Sequence, residues 1–441
     1  MMRPKTEFRQ TDIGMLPRDW DIVSLGNACT KIGSGITPRG GEKVYQDSGV
    51  ALVRSQNVLN NSFSKQGLEH IDEPTAKEME NVSIEKNDVL LNITGDSVAR
   101  CCTIPEEIRP ARVNQHVCII RTNIQKLNPL YLQYYLTSPR MQIHMVSLAQ
   151  SGGTRNALTK SMIEKFVIPR PKLEEQAAMS RILSGLDAKM VLNMQMNKNL
   201  EGIAEAIFKR WFIDFEFPNK EDKPYKSSGG EMIGSELGNI PQGWYVDKMS
   251  SIMNIHCGGT PRTDIPEYWN GDIKWFTVKD TPKEGDIFVI DTERKITKEG
   301  VENSAARILQ CGTTVITSRG TVGKLALVGV PMAINQTCYG ISGIDGYNYY
   351  FIYYLLRSNI GLIKRQTHGT VFDTITRHTF DTIKLIVPTK EVAMAFNQLI
   401  SALIEKILYN RFESQKITEL RDEILPKLVS GQIKVNFEDL I

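Results

Sequence analysis

The sequence predicts an α+β fold. Two pseudo-repeated globular domains are separated by two long helices, which form an antiparallel coiled coil with pseudo-two-fold symmetry. Three observations carry that prediction: a heptad seam from Leu183 to Trp211, a second helical stripe from Ile400 to Leu428, and a series of motifs that occurs twice in one order.

The seam comes first because it fixes the spacing of everything else. Leu183, Leu186, Met190, Asn193, Asn197, Leu200, Ala204, Ile207 and Trp211 follow one another at alternating intervals of three and four. That is the pattern of a helix packed along its length against another helix. No proline interrupts Glu174 to Phe212, so at about 1.5 Å per residue the helix spans roughly 55–60 Å. A helix of that length reads as a spacer. Its partner begins at Glu391, with Ile400, Leu403, Ile407, Ile417, Leu420, Ile424 and Leu428 on one stripe. Pro426 is expected to kink or end this helix, and Ser430-Gly431 to stop it. Asn193, Asn197 and Asn410 lie on or near the seam, where two readings stand: buried register-setting amides, or residues on a wet edge.

The chain is written twice. Ile13-Gly14-Met15-Leu16-Pro17 with Trp20 recurs as Leu237-Gly238-Asn239-Ile240-Pro241 with Trp244, 224 residues on. Gly35-Ile36-Thr37-Pro38-Arg39 answers to Gly259-Thr260-Pro261-Arg262, and Leu52 to Asn57 answers to Trp275 to Asp280. Val89 to Val98 matches Thr313 to Val322, and Val113-Asn114-Gln115 matches Ile334-Asn335-Gln336. Tyr134-Tyr135-Leu136 pairs with Tyr353-Tyr354-Leu355, Gly152-Gly153-Thr154 with His368-Gly369-Thr370, and Phe166 to Pro169 with Leu385 to Pro388. Each match is short; their shared order is the signal. Two copies stacked by translation would leave a solenoid fragment short of the three repeats such folds need. A two-fold closes the contact on itself, with the helices antiparallel and one domain at each end of the rod. Asp214 to Ser235, rich in Lys, Gly, Pro and Ser, reads as the linker between halves.

Composition excludes several classes. Fifty-three basic against fifty acidic residues give a net charge of +3, so any nucleic-acid surface is local rather than global. No apolar run approaches the ~20 residues of a membrane span, and the opening MMRPKTEFRQ lacks the core of a signal peptide. Seven cysteines without a CxxC suit reduced cytosolic thiols, and a cytoplasmic protein is expected. There is no Pro-Pro-aromatic methyltransferase motif. Gly320 to Lys324 imitates a phosphate loop, but Ser318 stands where its first glycine belongs and Leu325 where Ser or Thr must hold magnesium. The six histidines show no metal spacing. The chain is expected to be non-catalytic, with no metal of its own.

Twin domains at a fixed separation suit a ligand with its own dyad and repeat, and double-stranded DNA is the leading one. Arg54, Gln56, Asn57, Arg155, Asn156, Lys279, Arg319 and Gln336 carry donors suited to base edges; Arg39, Arg262 and Lys324 suit phosphates. The competing reading makes any one of them an ordinary solvated loop residue, and Asn114-Gln115 and Asn335-Gln336 turn caps. Because Arg54-Ser55-Gln56-Asn57 faces Thr277-Val278-Lys279-Asp280 in the alignment, the two half-sites are expected to differ.

The order of motifs resembles the specificity (S) subunits of type I restriction-modification systems, over essentially the whole chain. Ala206 to Phe215 (AIFKRWFIDF) looks like that family's close of the central helix, and Ile424 to Ile433 (ILPKLVSGQI) like its C-terminal signature; the openings at Gly14 and Gly238 fit as well. The resemblance implies target recognition domains at 1–172 and 236–390, a central conserved helix at 173–213, a linker at 214–235, and a C-terminal conserved helix and tail at 391–441. It implies a bipartite non-palindromic site, helices that set its spacer, two docked methyltransferase (M) subunits, and motor-nuclease (R) subunits joined through them. S-adenosylmethionine, ATP and Mg belong to those partners, and no membrane is implied. Two rivals remain: a methylation-only or type IIB-like complex, and a coiled-coil adaptor whose domains bind protein.

Overall fold

The computed structural model describes residues 7–151, 156–282, 285–367 and 374–435. The chain divides into two compact units, Met1–Lys189 with Ile417–Ile441, and Met190–Lys416. Each unit therefore holds one globular domain and a length of both long helices.

The first unit opens with the hairpin Phe8–Thr11/Gly14–Pro17, whose Gly14 has φ +102°, a conformation that favours glycine. Its larger sheet runs Cys101–Cys102, Val89–Asn92, Val117–Thr122, Cys29–Ser34, antiparallel throughout. A smaller sheet pairs Ala111–Val113 in parallel with Val50–Val53, which pairs antiparallel with Glu69–Ile71. Val50–Val53 and Val89–Asn92 are buried at every position, as strands covered on both faces must be, and the buried Asn92 amide donates to Ser55 O at 2.8 Å. Two helices follow, Pro129–Thr137 and Pro139–Ser151. Asn128 caps the first, its side chain accepting from the Leu130 and Tyr131 amides at 3.0 and 3.1 Å.

The second unit repeats this plan. Met253–Cys257, Cys338–Gly343, Thr314–Thr317 and Leu325–Val328 form the larger sheet, extended by a parallel edge at Phe288–Val289. Trp269–Phe276 pairs in parallel with Met332–Ile334 in the smaller one. Individual hydrogen bonds recur with the motifs. Thr11 Oγ1 donates to the Gly14 carbonyl and Ser235 Oγ to that of Gly238, both at 2.6 Å. The Trp20 amide donates to Pro17 and the Trp244 amide to Pro241, both at 3.1 Å. The sequence repeat is a structural repeat.

The two long helices run Leu173–Phe208 and Lys390–Val429. Every seam residue of the first is buried or half-buried. In the second unit Asn410 Nδ2 donates to Asn197 Oδ1 at 2.9 Å, and Asn193 Nδ2 to Glu413 Oε2 at 2.8 Å. Higher numbers on one helix meet lower numbers on the other, so the pair is antiparallel. In the first unit Arg421 Nη1 donates to Asp187 Oδ1 at 2.9 Å, with the same sense. The three asparagines are buried, which settles the seam against a wet edge. On the C-terminal helix, Ile404 belongs to the buried stripe and Leu420, expected there, is exposed; the drift of a 3.6-residue helix against a 3.5-residue pattern accounts for that slip.

Three further expectations change. Pro426 sits within the last turn of the helix and does not end it early. Gly431 does, at φ +72°, where a Cβ would lie 2.3 Å from Pro17 Cγ. The stretch 214–235 is folded rather than an open linker: Phe217 stacks on Trp244 at 5.1 Å, Phe215 packs edge-on to the same ring, and Met232–Ser235 pairs with Gly238–Pro241. Finally, Lys390–Val429 contains an 18-residue window apolar enough, by length and composition, for a membrane span. Ala393, Phe396, Ile400, Ile404 and Ile407 nevertheless lie in the core of the second unit, while Lys406 and Glu405 on the same helix are exposed. A core helix passes that test as readily as a membrane one.

Candidate nucleic-acid interface

In each unit the loops carrying the candidate residues meet where the two sheets adjoin. The Asn114 amide donates to Val53 O and the Asn335 amide to Phe276 O, both at 3.0 Å. Ile36 N donates to Val113 O and Gly259 N to Ile334 O, at 3.3 and 2.9 Å. Asn114 Oδ1 accepts from the His116 amide and Asn335 Oδ1 from the Thr337 amide, both at 3.1 Å. These asparagines are turn caps, the plainer of their two readings.

The turn after Val50–Val53 shows how the frame and the readers separate. Asn57 is fully buried. Its Oδ1 accepts from the Arg54 amide at 3.0 Å, and its Nδ2 donates to Ser64 O and Gln66 O at 3.0 and 3.2 Å. In the second unit Asp280 Oδ2 accepts from the Thr277 amide at 2.7 Å, closing the same capped turn. Asn57 is thus spent on holding the loop, and its place among base-contacting candidates is corrected. Arg54 is similarly committed, with Nη2 at 2.9 Å from both Gly67 O and Glu69 Oε1. What the turns place at the surface is Gln56 in one, its Nε2 donating to Gly67 O at 2.8 Å, and Lys279 in the other, both exposed.

The remaining candidates sort by charge partner. Arg39 lies 3.8 Å from Glu78, and Lys279 3.8 Å from Glu293. Arg262 is bonded to Asp264 at 2.7 Å; that guanidinium holds the exposed Asp264 carboxyl below its ordinary pKa. Gln336 Oε1 accepts from Thr260 Oγ1. Asn156 is exposed, its carbonyl accepting from the Gly95 amide at 3.2 Å. Arg319 is exposed and, among the described residues, forms no ion pair. Lys324 lines a cleft of about 550 Å³ with Lys198, Glu201 and Arg357 of the second unit, its amide donating to Thr317 Oγ1 at 2.9 Å. Arg155, and the Gly152-Gly153-Thr154 and His368-Gly369-Thr370 match, lie outside the described residues.

Gly320 and Gly323 take φ +75° and +77°, and the loop they form runs into the strand Leu325–Val328. A phosphate loop opens a helix, so that reading falls. Sequence reasoning passed over His116, whose Nδ1 lies 2.6 Å from Thr94 Oγ1; its counterpart in the duplicated Asn-cap bond is Thr337, so no residue match pointed to it.

Residues 17–202 and 241–422 match the family model described as a type I restriction modification DNA specificity domain. The MjaIX type I restriction enzyme specificity subunit of Methanocaldococcus jannaschii is 27% identical, covering 98% of each chain. The HindI specificity subunit of Haemophilus influenzae is 24% identical over 94% of this chain and 100% of its own. Among solved structures, the type I restriction-modification S subunit from M. genitalium aligns over 97% of each chain with a TM-score of 0.57 at 12% identity.

Proposed function

This chain belongs to the type I restriction modification DNA specificity family, which supplies specificity rather than catalysis, and from that premise we propose that it reads a bipartite, non-palindromic DNA site. The domains 1–172 and 236–390 each read one half. The helices at 173–213 and 391–441 set the unread spacer and dock two methyltransferase subunits, through which motor-nuclease subunits join; 214–235 connects the halves. S-adenosylmethionine, ATP and magnesium act on those partners, in the cytoplasm.

The observation that carries the reading is one hydrogen-bonded frame holding different outward side chains. The capped turns at Arg54–Asn57 and Thr277–Asp280 share their closing bond, yet present Gln56 and Lys279. A conserved scaffold with exchanged donors is what two different half-sites require. Docking is supported by apolar residues left exposed on the helices: Val191, Leu192, Met194 and Ile203 on one, Met394, Leu399 and Tyr409 on the other.

Titrating the full chain with duplex DNA at increasing salt tests this against the protein-adaptor rival. Affinity is expected to fall steeply, as counterion release demands. Salt-independent or absent binding to duplex would refute it.

A further inference from the structure

Most cations proposed from sequence are neutralised by an acid beside them, as Arg39, Arg54, Arg262 and Lys279 are. Among the described residues Arg319 is not, and the second unit brings two more exposed arginines to the same sheet edge that no motif singled out. Arg377 is exposed, and its Nη2 donates to Ile255 O at 2.6 Å. That carbonyl belongs to Met253–Cys257, the edge strand of the larger sheet, so Arg377 caps the edge with one donor and keeps the others outward. The Ile375 amide donates to Ser318 O at 3.1 Å, tying the segment before Arg377 to the residue before Arg319.

Arg307 arrives from the other side. It follows Ala305 and Ala306, whose backbone closes on Gly259 so tightly that a Cβ there would sit 2.2 Å from the Ala306 nitrogen. His256 on the edge strand registers the result: burial first, then Arg307 and Arg377, push its imidazole below the ordinary pKa. Arg319 and Arg377 likewise both act on Tyr339, which stands opposite Cys257. Among the described residues no carboxylate pairs with Arg307, Arg319 or Arg377. Three exposed guanidinium groups that bear on the same edge of the sheet, without a counter-charge among the described residues, favour an anion there.

Among the described residues the first unit shows no such device. Thr159 begins a short helix there as Thr376 does in the second, but the residue that follows is Lys160, 3.6 Å from Glu164.

We propose that Arg307, Arg319 and Arg377 form a phosphate clamp on the second domain, gripping the DNA backbone while the neighbouring turns read bases. The clamp rests on the DNA reading above and adds an asymmetry to it: the second half-site is held more by charge than the first. In this role Arg319 moves from base contact to phosphate contact.

The test uses the full chain and a labelled mixed-sequence duplex, with the slope of log affinity against log salt as the readout. Arg307→Ala is expected to reduce the slope by about 0.9, and Arg307→Ala with Arg377→Ala by about 1.8. Lys223→Ala, in the segment joining the halves and paired with Glu221, is expected to leave it unchanged. Arg307 makes no hydrogen bond or ion pair among the described residues, so its variant removes no internal bond; a melting curve matching the parent confirms that. Unchanged slopes in both variants would overturn the clamp and leave the DNA reading standing. A parent chain with no salt-dependent binding would overturn the DNA reading and the clamp with it.

Discussion

Residues that look like readers divide into those that build the loop and those it presents. Asn57→Ala removes an amide that makes three bonds in a buried turn, and is expected to cost about 1–3 kcal/mol of stability, read by thermal or urea unfolding. Gln56→Ala is expected to leave stability within about 0.5 kcal/mol and to change which bases are recognised. Glu175 makes a second prediction. It is buried, accepts from Trp20 Nε1 at 3.1 Å, and burial raises its carboxyl above the ordinary range. A raised folded pKa means that the fold binds a proton more readily than the unfolded chain. Stability from this group is therefore present below the unfolded pKa and lost as pH rises through the folded one. Glu175→Gln, which keeps an acceptor for the indole, is expected to flatten that loss and hold or raise stability at neutral pH. A steeper loss in the variant would contradict the assignment.

At the scale of elements, the two helices are joined by apolar packing and by an amide ladder. Asn410→Leu alone leaves Asn197 buried without its donor and is expected to destabilise by about 1–3 kcal/mol. Asn197→Leu with Asn410→Leu is expected to recover most of that while weakening the preference for one register. Melting of Asn410→Leu, Asn197→Leu and the double variant decides it; additive losses would place the asparagines outside a shared network. The ruler role has its own measure. Removing one heptad from both helices shortens the pair by about 10 Å, which is about three base pairs at ~3.4 Å each. The methylated motif of that variant is expected to keep its halves and lose spacer; an unchanged spacer would refute the ruler.

Much of this architecture was legible in the chain. The heptad seam located the central helix to within a turn, because its apolar positions and lack of proline leave few alternatives. The duplicated motifs located the sheets, since matches such as Leu52 to Asn57 with Trp275 to Asp280 sit on a strand end and its turn, while Tyr134–Leu136 and Tyr353–Leu355 fall on a helix in each unit. What periodicity does not encode is which polar side chain a turn consumes. Asn57 and Gln56 are adjacent and chemically alike, yet Asn57 is buried with both ends of its amide bonded, while exposed Gln56 ties one donor to Gly67 O and leaves the rest of its amide at the surface. Nor does spacing reveal neutralisation. Arg262 and Arg307 look equivalent in sequence, but Asp264 pairs with one while the other makes no ion pair among the described residues. The 214–235 segment misled for a related reason: its Gly, Pro and Ser suggested a tether, while Phe215 and Phe217 bind it to Trp244.

For the whole molecule, the central claim is that two different domains on one chain read two halves of one site. The most direct measurement is to express the full chain with its methyltransferase subunits and map methylated positions across a genome at single-base resolution. The account predicts a split motif, its unlike halves methylated on opposite strands across a fixed gap, with exchange of Gln56 and Lys279 altering one half each. A complex that forms but methylates nothing, or a motif that is continuous or palindromic, would contradict it.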